Sequence, residues 1–249
     1  MNTYGLIGKS LSHSFSKEYF SQKFKKESIS DCTYVNIELK NISEFKNALK
    51  EYPDCKGLNV TIPYKKLIIP FLDEIDPIAE KIGAVNTIKF LENGNLKGYN
   101  TDVIGFRNSI KPFLDLNHTR ALIFGTGGAS KAIALVLKNL GIPFYYVSRS
   151  PKSKKEIRYE DLDKISIASF RFLINCTPLG TFPDVEKMIP INVDGIGNKH
   201  LVYDLVYNPR ETLLLKEAKK KGAIVVNGLS MLRIQAEESW RIWKASTTI

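Results

Sequence analysis

Along the first hundred residues, strand-like and helix-like spacings of apolar side chains take turns. "TYGLIG", "CTYVNIEL" and "GLNVTIP" read as strands, and "SKEYFSQKFKK", "SEFKNALKEY" and "KKLIIPFL" after them read as helices, which predicts a small α/β unit. "VNTIKFLENGNLKGYN" then sets Asn93 and Gly94 between two strand-like runs, a hairpin signal. "TDVIGFRNSI" opens a helix with Thr101 or Asp102 as its N-cap, and a domain junction is expected there, giving a first domain over 1–101 and a second over 102–228. The second begins with a buried-strand run, Ala121 to Phe124, a glycine turn, and helical spacing from Ala132 to Leu140. "FYYVSR", "FRFLINCTP", "HLVYDLVYN", the helix "TLLLKEAKKKG" and the strand "AIVVNG" continue it as a doubly wound sheet. The last segment, about 229–249, carries Met231, Leu232, Ile234 and Trp240 as an amphipathic helix and is expected to pack back on the first domain.

Composition narrows the class. The chain has 249 residues, 43% of them hydrophobic, and no low-complexity tract, which is globular composition. No apolar run approaches the ~20 residues needed to cross a bilayer. The start "MNTYGLIGK" is itself a strand candidate rather than a leader, so a cytoplasmic protein without membrane partners is expected. Cys32, Cys55 and Cys176 are odd in number and lack C-x-x-C spacing, which argues for packing residues and against a metal site. The net charge of +10 favours anionic ligands. "KFKKE" and "KEAKKKG" read as solvated helix faces, and with no nucleic-acid-binding motif beside them no nucleic-acid partner is expected.

Candidate chemistry starts at "GTGGAS". Gly125, Thr126, Gly127, Gly128 and Ala129 sit between strand and helix, where glycines let the backbone approach a phosphate and the free amides of the new helix face it. The dinucleotide fingerprint would place a small apolar residue at 130, and the chain has Ser130, so a ligand-free tight turn stays open. The end of the next strand offers Ser148, Arg149 and Ser150, then Lys152, Lys154 and Lys155, with no acid before Glu156. A carboxylate there would take a ribose 2′-hydroxyl, whereas a guanidinium pairs with a 2′-phosphate, so NADP is favoured over NAD.

Other polar residues gather at element ends. Ser14 and Ser16 flank Phe15 where a helix should begin, which suits either a carboxylate receptor or simple capping. Asn59 and Thr61 alternate with apolar residues and so share a strand face. Lys65 is expected to open the next helix, an electrostatically awkward place that hints at function, against the plain alternative of an exposed lysine beside Lys66. Asp102 serves either as an N-cap or as the partner of a cation.

Taken together, "SHSFS", "NVTIPYK", "GAVNT", "YNTD", "GTGGAS", "YDLVY" and "NGLSMLRIQA" resemble, in order and spacing, the shikimate dehydrogenase family over nearly the whole chain. The resemblance implies a substrate domain plus a Rossmann domain with the site in the cleft between them, and reversible NADPH-dependent reduction of 3-dehydroshikimate to shikimate, as a monomer or homodimer. It implies that Ser14 and Ser16 bind the substrate carboxylate, that Asn59 and Thr61 hold its hydroxyls, and that Asn86, Thr101, Tyr207 and Gln235 contact it. Lys65 and Asp102 become the catalytic pair, while His13 is read as a local structural residue. Thr177 in "INCTPLG" falls on the cofactor side, Leu205 lines the nicotinamide pocket and the Gly228 backbone meets the ring. The nearest alternative is a quinate or dual quinate/shikimate dehydrogenase; Ser16, where some quinate-using relatives carry threonine, and the basic loop lean against it. One departure is "ETLLL", with Leu213 where the family often has proline, which touches a helix start rather than the chemistry.

Overall fold

In the computed structural model, residues 1–11 and 14–245 are described, and the chain falls into two compact units, Met1–Thr101 with Ala236 onward, and Asp102–Gln235. The first unit is a mixed six-stranded sheet. β1 (Asn2–Gly8), β2 (Cys32–Glu38) and β3 (Cys55–Val60) run parallel, with α1 (Phe15–Lys26) crossing from β1 to β2 and the short α2 (Phe45–Leu49) preceding β3. β4 (Glu74–Ile75) and α3 (Pro77–Ile82) follow, then β5 (Thr87–Phe90) and β6 (Leu96–Tyr99), giving the order β2-β1-β3-β5-β6-β4. β5 and β6 form the expected hairpin, with Gly94 at φ +86 in its turn.

The expected helix at "KKLIIPFL" does not form. Residues 62–68 make hydrogen-bonded turns and Ile69–Phe71 a single 3₁₀ turn. Pro70 removes a donor and biases Ile69 away from the α region, while burial of Tyr64 and Ile68 pins the turns to the core. β4 and α3 had no counterpart in the sequence reading; Asp76 caps α3 by accepting from the Ile78 amide at 2.9 Å.

The second unit starts with α4 (Asp102–Ile110) and builds one parallel sheet from β7 (Ala121–Phe124), β8 (Phe144–Val147), β9 (Glu156–Ile157), β10 (Phe172–Asn175), β11 (Leu201–Asp204) and β12 (Ile224–Asn227). Its order, β12-β11-β10-β7-β8-β9, is that of the Rossmann fold, and the reversal falls between β7 and β10. α5 (Gly128–Asn139), α6 (Lys164–Ser169) and α7 (Leu213–Lys220) supply crossovers. Leu213, the departure from the family pattern, is the first residue of α7, capped by Thr212.

α8 (Leu229–Lys244) is shared. The second unit runs on to Gln235 rather than ending at 228, because the first turns of α8 lie against α4: a Cβ on Gly105 would come 2.9 Å from the Met231 carbonyl oxygen and 3.2 Å from Gln235 Cβ. From Ala236 the helix belongs to the first unit. There Trp243 lies over Gly57, where any Cβ would stand 2.2 Å from the indole ring, and its Nε1 donates to the Ile88 carbonyl at 2.9 Å. Tyr4, Phe20, Phe24, Tyr34 and Trp240 surround it as an aromatic core layer.

Candidate active site

In the first unit, the candidate residues sit on a buried web of neutral hydrogen bonds. Asn59, near the carboxyl end of β3, accepts from the Tyr34 hydroxyl at 2.8 Å. Its Nδ2 donates to Ser239 Oγ at 2.9 Å, Thr87 Oγ1 at 3.2 Å and the Asn86 carbonyl at 3.3 Å. Thr87 shares a 2.8 Å bond with Ser239 and donates to Asn86 Oδ1 at 3.1 Å. Asn86 Oδ1 also accepts from the Thr101 amide at 2.8 Å and hydroxyl at 3.2 Å. Ser16 is hydrogen-bonded to Tyr34, whose phenol burial pushes well up. The structure thus brings Ser16, Asn59, Asn86 and Thr101 onto one web, but it turns Asn59 inward and buries the Thr101 hydroxyl against Asn86. Their polar groups are tied to their neighbours, which fixes where each side chain is presented.

Lys65 joins this region through its backbone. Its carbonyl accepts from the Val85 amide at 2.7 Å, next to Asn86. Because no helix starts there, the helix-dipole argument for Lys65 falls away, and its half-buried position on a turn replaces it. Thr61 follows β3, with its amide bonded to the Ile7 carbonyl at 2.9 Å. Ser14 is the N-cap of α1, accepting weakly from the Lys17 amide at 3.4 Å, and lines a cavity of ≈ 450 Å³ with Lys17, Asn36 and Glu38. His13 lies outside the described residues. Asp102 opens α4 and is only 2% exposed.

In the second unit, the glycine turn lies where the sequence puts it. Gly125 takes φ +100, a conformation that L side chains resist, and its amide bonds the Val147 carbonyl at 2.9 Å. Gly127 is the N-cap of α5 without a side-chain cap, and a Cβ there would meet no protein atom within 4 Å. The opening amides of α5 can therefore be approached closely by an anion, with Thr126, Gly128 and Ala129 on the same turn. Ser130, the departure from the fingerprint, is fully buried and donates to the Gly127 carbonyl at 2.7 Å, so its hydroxyl is absorbed within the turn.

Thr177 borders this turn: its Cγ2 would lie 3.2 Å from a Cβ on Gly125. Leu205 and Gly228 meet, since a Cβ on Gly228 would stand 2.0 Å from the Leu205 carbonyl oxygen; only glycine fits. Ser148, Arg149 and Ser150 leave the carboxyl end of β8, Arg149 exposed and within electrostatic reach of Tyr159. Lys154 does not join them. β9 pairs parallel with β8, Glu156 opposite Tyr146, so Lys154 has returned to the start of β8, where it lines a groove with Lys138, Gly141 and Phe144. Lys154 therefore lies apart from Arg149 along β8. Tyr207 is half-buried, which raises its phenol pKa, and Gln235 lies on the α8 face against α4.

Two residues missed in the sequence organise these groups. Ser239, fully buried on α8, ties Asn59 to Thr87. Asp204, fully buried at the end of β11, accepts from Asn175 Nδ2 at 2.9 Å and the Val206 amide at 3.0 Å through Oδ1, and from the Thr212 hydroxyl at 2.6 Å through Oδ2. Burial pushes its carboxyl up to about 6, against the pull of those three bonds. Among the described residues no group of His, Cys, Asp and Glu could hold a metal ion, and no helix is long and apolar enough to cross a membrane.

Comparison with known proteins places these features. The family model described as shikimate dehydrogenase substrate binding domain matches residues 6–88. A relative from Methanosphaera stadtmanae named shikimate dehydrogenase (NADP(+)) is 41% identical, over 98% of this chain and 91% of its own. Among solved structures, shikimate dehydrogenase 1 from Peptoclostridium difficile superposes with a TM-score of 0.84 at 35% identity, covering 100% of this chain and 94% of that one. A Thermus thermophilus shikimate 5-dehydrogenase in complex with NADP(H) and shikimate gives 0.86 at 29% identity, over 98% and 94%.

Proposed function

Because this chain belongs to the shikimate dehydrogenase family, we propose a division of labour among its residues for the reversible NADPH-dependent reduction of 3-dehydroshikimate to shikimate. The first unit receives the substrate and the second the cofactor. The observation that carries the reading is the Rossmann strand order with the Gly125–Gly128 turn at its reversal, beside a basic strand end at Arg149. These residues fit NADP: uncapped amides at the start of α5 for the pyrophosphate, Arg149 with Ser148 and Ser150 for the 2′-phosphate, and Thr177, Leu205 and Gly228 around the remainder. NADP supplies hydride chemistry when bound; the chain supplies position and proton handling.

Ser14 and Ser16 take the substrate carboxylate at the start of α1, with Thr61, Asn86, Tyr207 and Gln235 on the rest of the ring substituents. Lys65 Nζ gives a proton to the carbonyl oxygen as charge develops there, and removes it from the hydroxyl in the reverse direction. Asp102 keeps that ammonium oriented and accepts from the same hydroxyl. Steady-state assays crossing shikimate and quinate with NADP and NAD test the reading. Shikimate with NADP should be the preferred pair, and Arg149→Ala should raise the NADP Michaelis constant while leaving NAD use little changed. Equal turnover with NADP and NAD in the unmodified protein would overturn the assignment of Arg149; preference for quinate would overturn the choice of substrate.

A further inference from the structure

The hydrogen bonds around Asp204 run in one direction. A carboxylate only accepts, so Asn175 must present its Nδ2 to Asp204, which leaves Asn175 Oδ1 facing away from it. That Oδ1 accepts from the Thr177 amide at 3.0 Å and hydroxyl at 2.7 Å, and Thr177 Oγ1 in turn accepts from the Leu179 amide at 3.3 Å. Asp204 Oδ1 meanwhile anchors the Val206 amide, one residue beyond the Leu205 carbonyl that packs on Gly228. One buried carboxylate, helped by the Leu179 carbonyl that also accepts from Asn175 Nδ2 at 3.5 Å, therefore holds the turn after β10 and the path of the loop after β11.

We propose that Asp204 is a positioning residue for the cofactor, acting through Asn175 to hold the Thr177 turn, and through Val206 the Leu205 loop, in the arrangement that receives NADP(H). The inference rests on the NADP-dependent reading of the second unit. A neutral amide at 204 would hold it less firmly. Asparagine there keeps its oxygen toward Asn175 Nδ2 and the Val206 amide, both of which donate, and turns its NH₂ to the Thr212 hydroxyl, but both bonds lose the charge that strengthens them. Protonating Asp204 weakens the same relay, because bonds to a neutral carboxyl are roughly half as strong as those to a carboxylate. The titratable groups facing it are Tyr203 of β11 and Cys176 after β10, both kept protonated by burial, with Asp102 acting in turn on Cys176.

NADPH binding is measured directly by fluorescence at neutral pH for the unmodified protein, Asp204→Asn, Asn175→Ala and the double variant. Asp204→Asn should raise the NADPH Kd about tenfold, the scale of two buried hydrogen bonds that lose their charge, with the shikimate Michaelis constant nearly unmoved. Asn175→Ala should do the same, and the double variant should be no worse than the weaker single, since both break one relay. An Asp204→Asn Kd unchanged within error, or two effects that multiply, ends the proposal. A second measurement needs no variant: on the unmodified protein the Kd for NADPH and for NADH should both rise as pH falls through about 6. NADH has no 2′-phosphate, so a rise for NADPH alone would come from titration of that phosphate and would also overturn the proposal. Failure of the unmodified protein to bind either cofactor would instead end the NADP reading itself.

Discussion

The two units bury polar networks of opposite kinds. In the first, Tyr34, Asn59, Asn86, Thr87, Thr101 and Ser239 join through neutral groups that both donate and accept. In the second, the Asn175, Thr177 and Thr212 side chains converge, directly or through one another, on a carboxylate. A neutral web adds no ionic desolvation penalty and no titration, but each hydroxyl can reverse its bond. A carboxylate hub fixes every bond direction and is correspondingly costly to bury, which is what raises Asp204 to about 6. The first unit is thus held by packing and reversible bonds, and the second by a charge that permits one arrangement.

The largest expected effect tests whether the labour is divided at all. Lys65→Ala should lower kcat by roughly 10² or more, the scale of general acid–base catalysis, with a smaller change in the shikimate Michaelis constant and none in NADPH affinity. Near-normal kcat with only the Michaelis constant raised would make Lys65 a binding residue.

Next in size is the pH signature of the hub. Asp204 titrates higher folded than unfolded, about 6 against 3.8, so its contribution to stability is fully present below 3.8 and is lost as pH rises through about 6. The unfolding free energy of Asp204→Asn, referred to the parent, should move in the variant's favour by up to ~3 kcal/mol across that window. This is the reverse of the expected trend in cofactor affinity, and denaturant titrations at several pH values read it directly. A difference independent of pH would remove the contrast between the networks.

The smallest effect sharpens the neutral side. Ser239→Ala takes one hydrogen bond each from Asn59 Nδ2 and Thr87, which keep their bonds to each other and to Asn86, and should destabilise the protein by about 1 kcal/mol with no pH dependence, raising the shikimate Michaelis constant but not the NADPH Kd. A loss that grew on either side of neutrality would show that the web contains a titrating group after all.

Local signals carried much of this architecture. Asn93–Gly94 specified its hairpin, and the apolar run, glycines and helical spacing of 121–140 specified a strand, turn and helix almost as they stand. Where reading failed, tertiary packing had overruled spacing. "KKLIIPFL" has helical apolar spacing, yet Pro70 and the burial of Ile68 keep it in turns, so Lys65 is placed by a backbone bond to Val85 and not by a helix. Side-chain alternation put Asn59 and Thr61 on one face of a strand but could not say which polar partners Asn59 meets there. Lys154 was grouped with Arg149 by nearness in sequence, whereas the parallel return of β9 carries it to the other end of β8. Asp204 and Ser239 did leave a trace: one charge inside the apolar run "LVYDLVY", and one hydroxyl near the two tryptophans on the buried face of the last helix.

The closing of Trp243 over Gly57 also orders events in time. Residues 102–235 form one uninterrupted stretch, so the second unit has all its strands as soon as that stretch has been synthesised. The first unit, begun earlier, lacks Ser239, Trp240 and Trp243 until the stretch after residue 235 is made, and until then the aromatic layer of Tyr4, Phe20 and Tyr34 has no lid. Of the two units, the one begun earlier is the one finished later, and the last turns of α8 are its closing step.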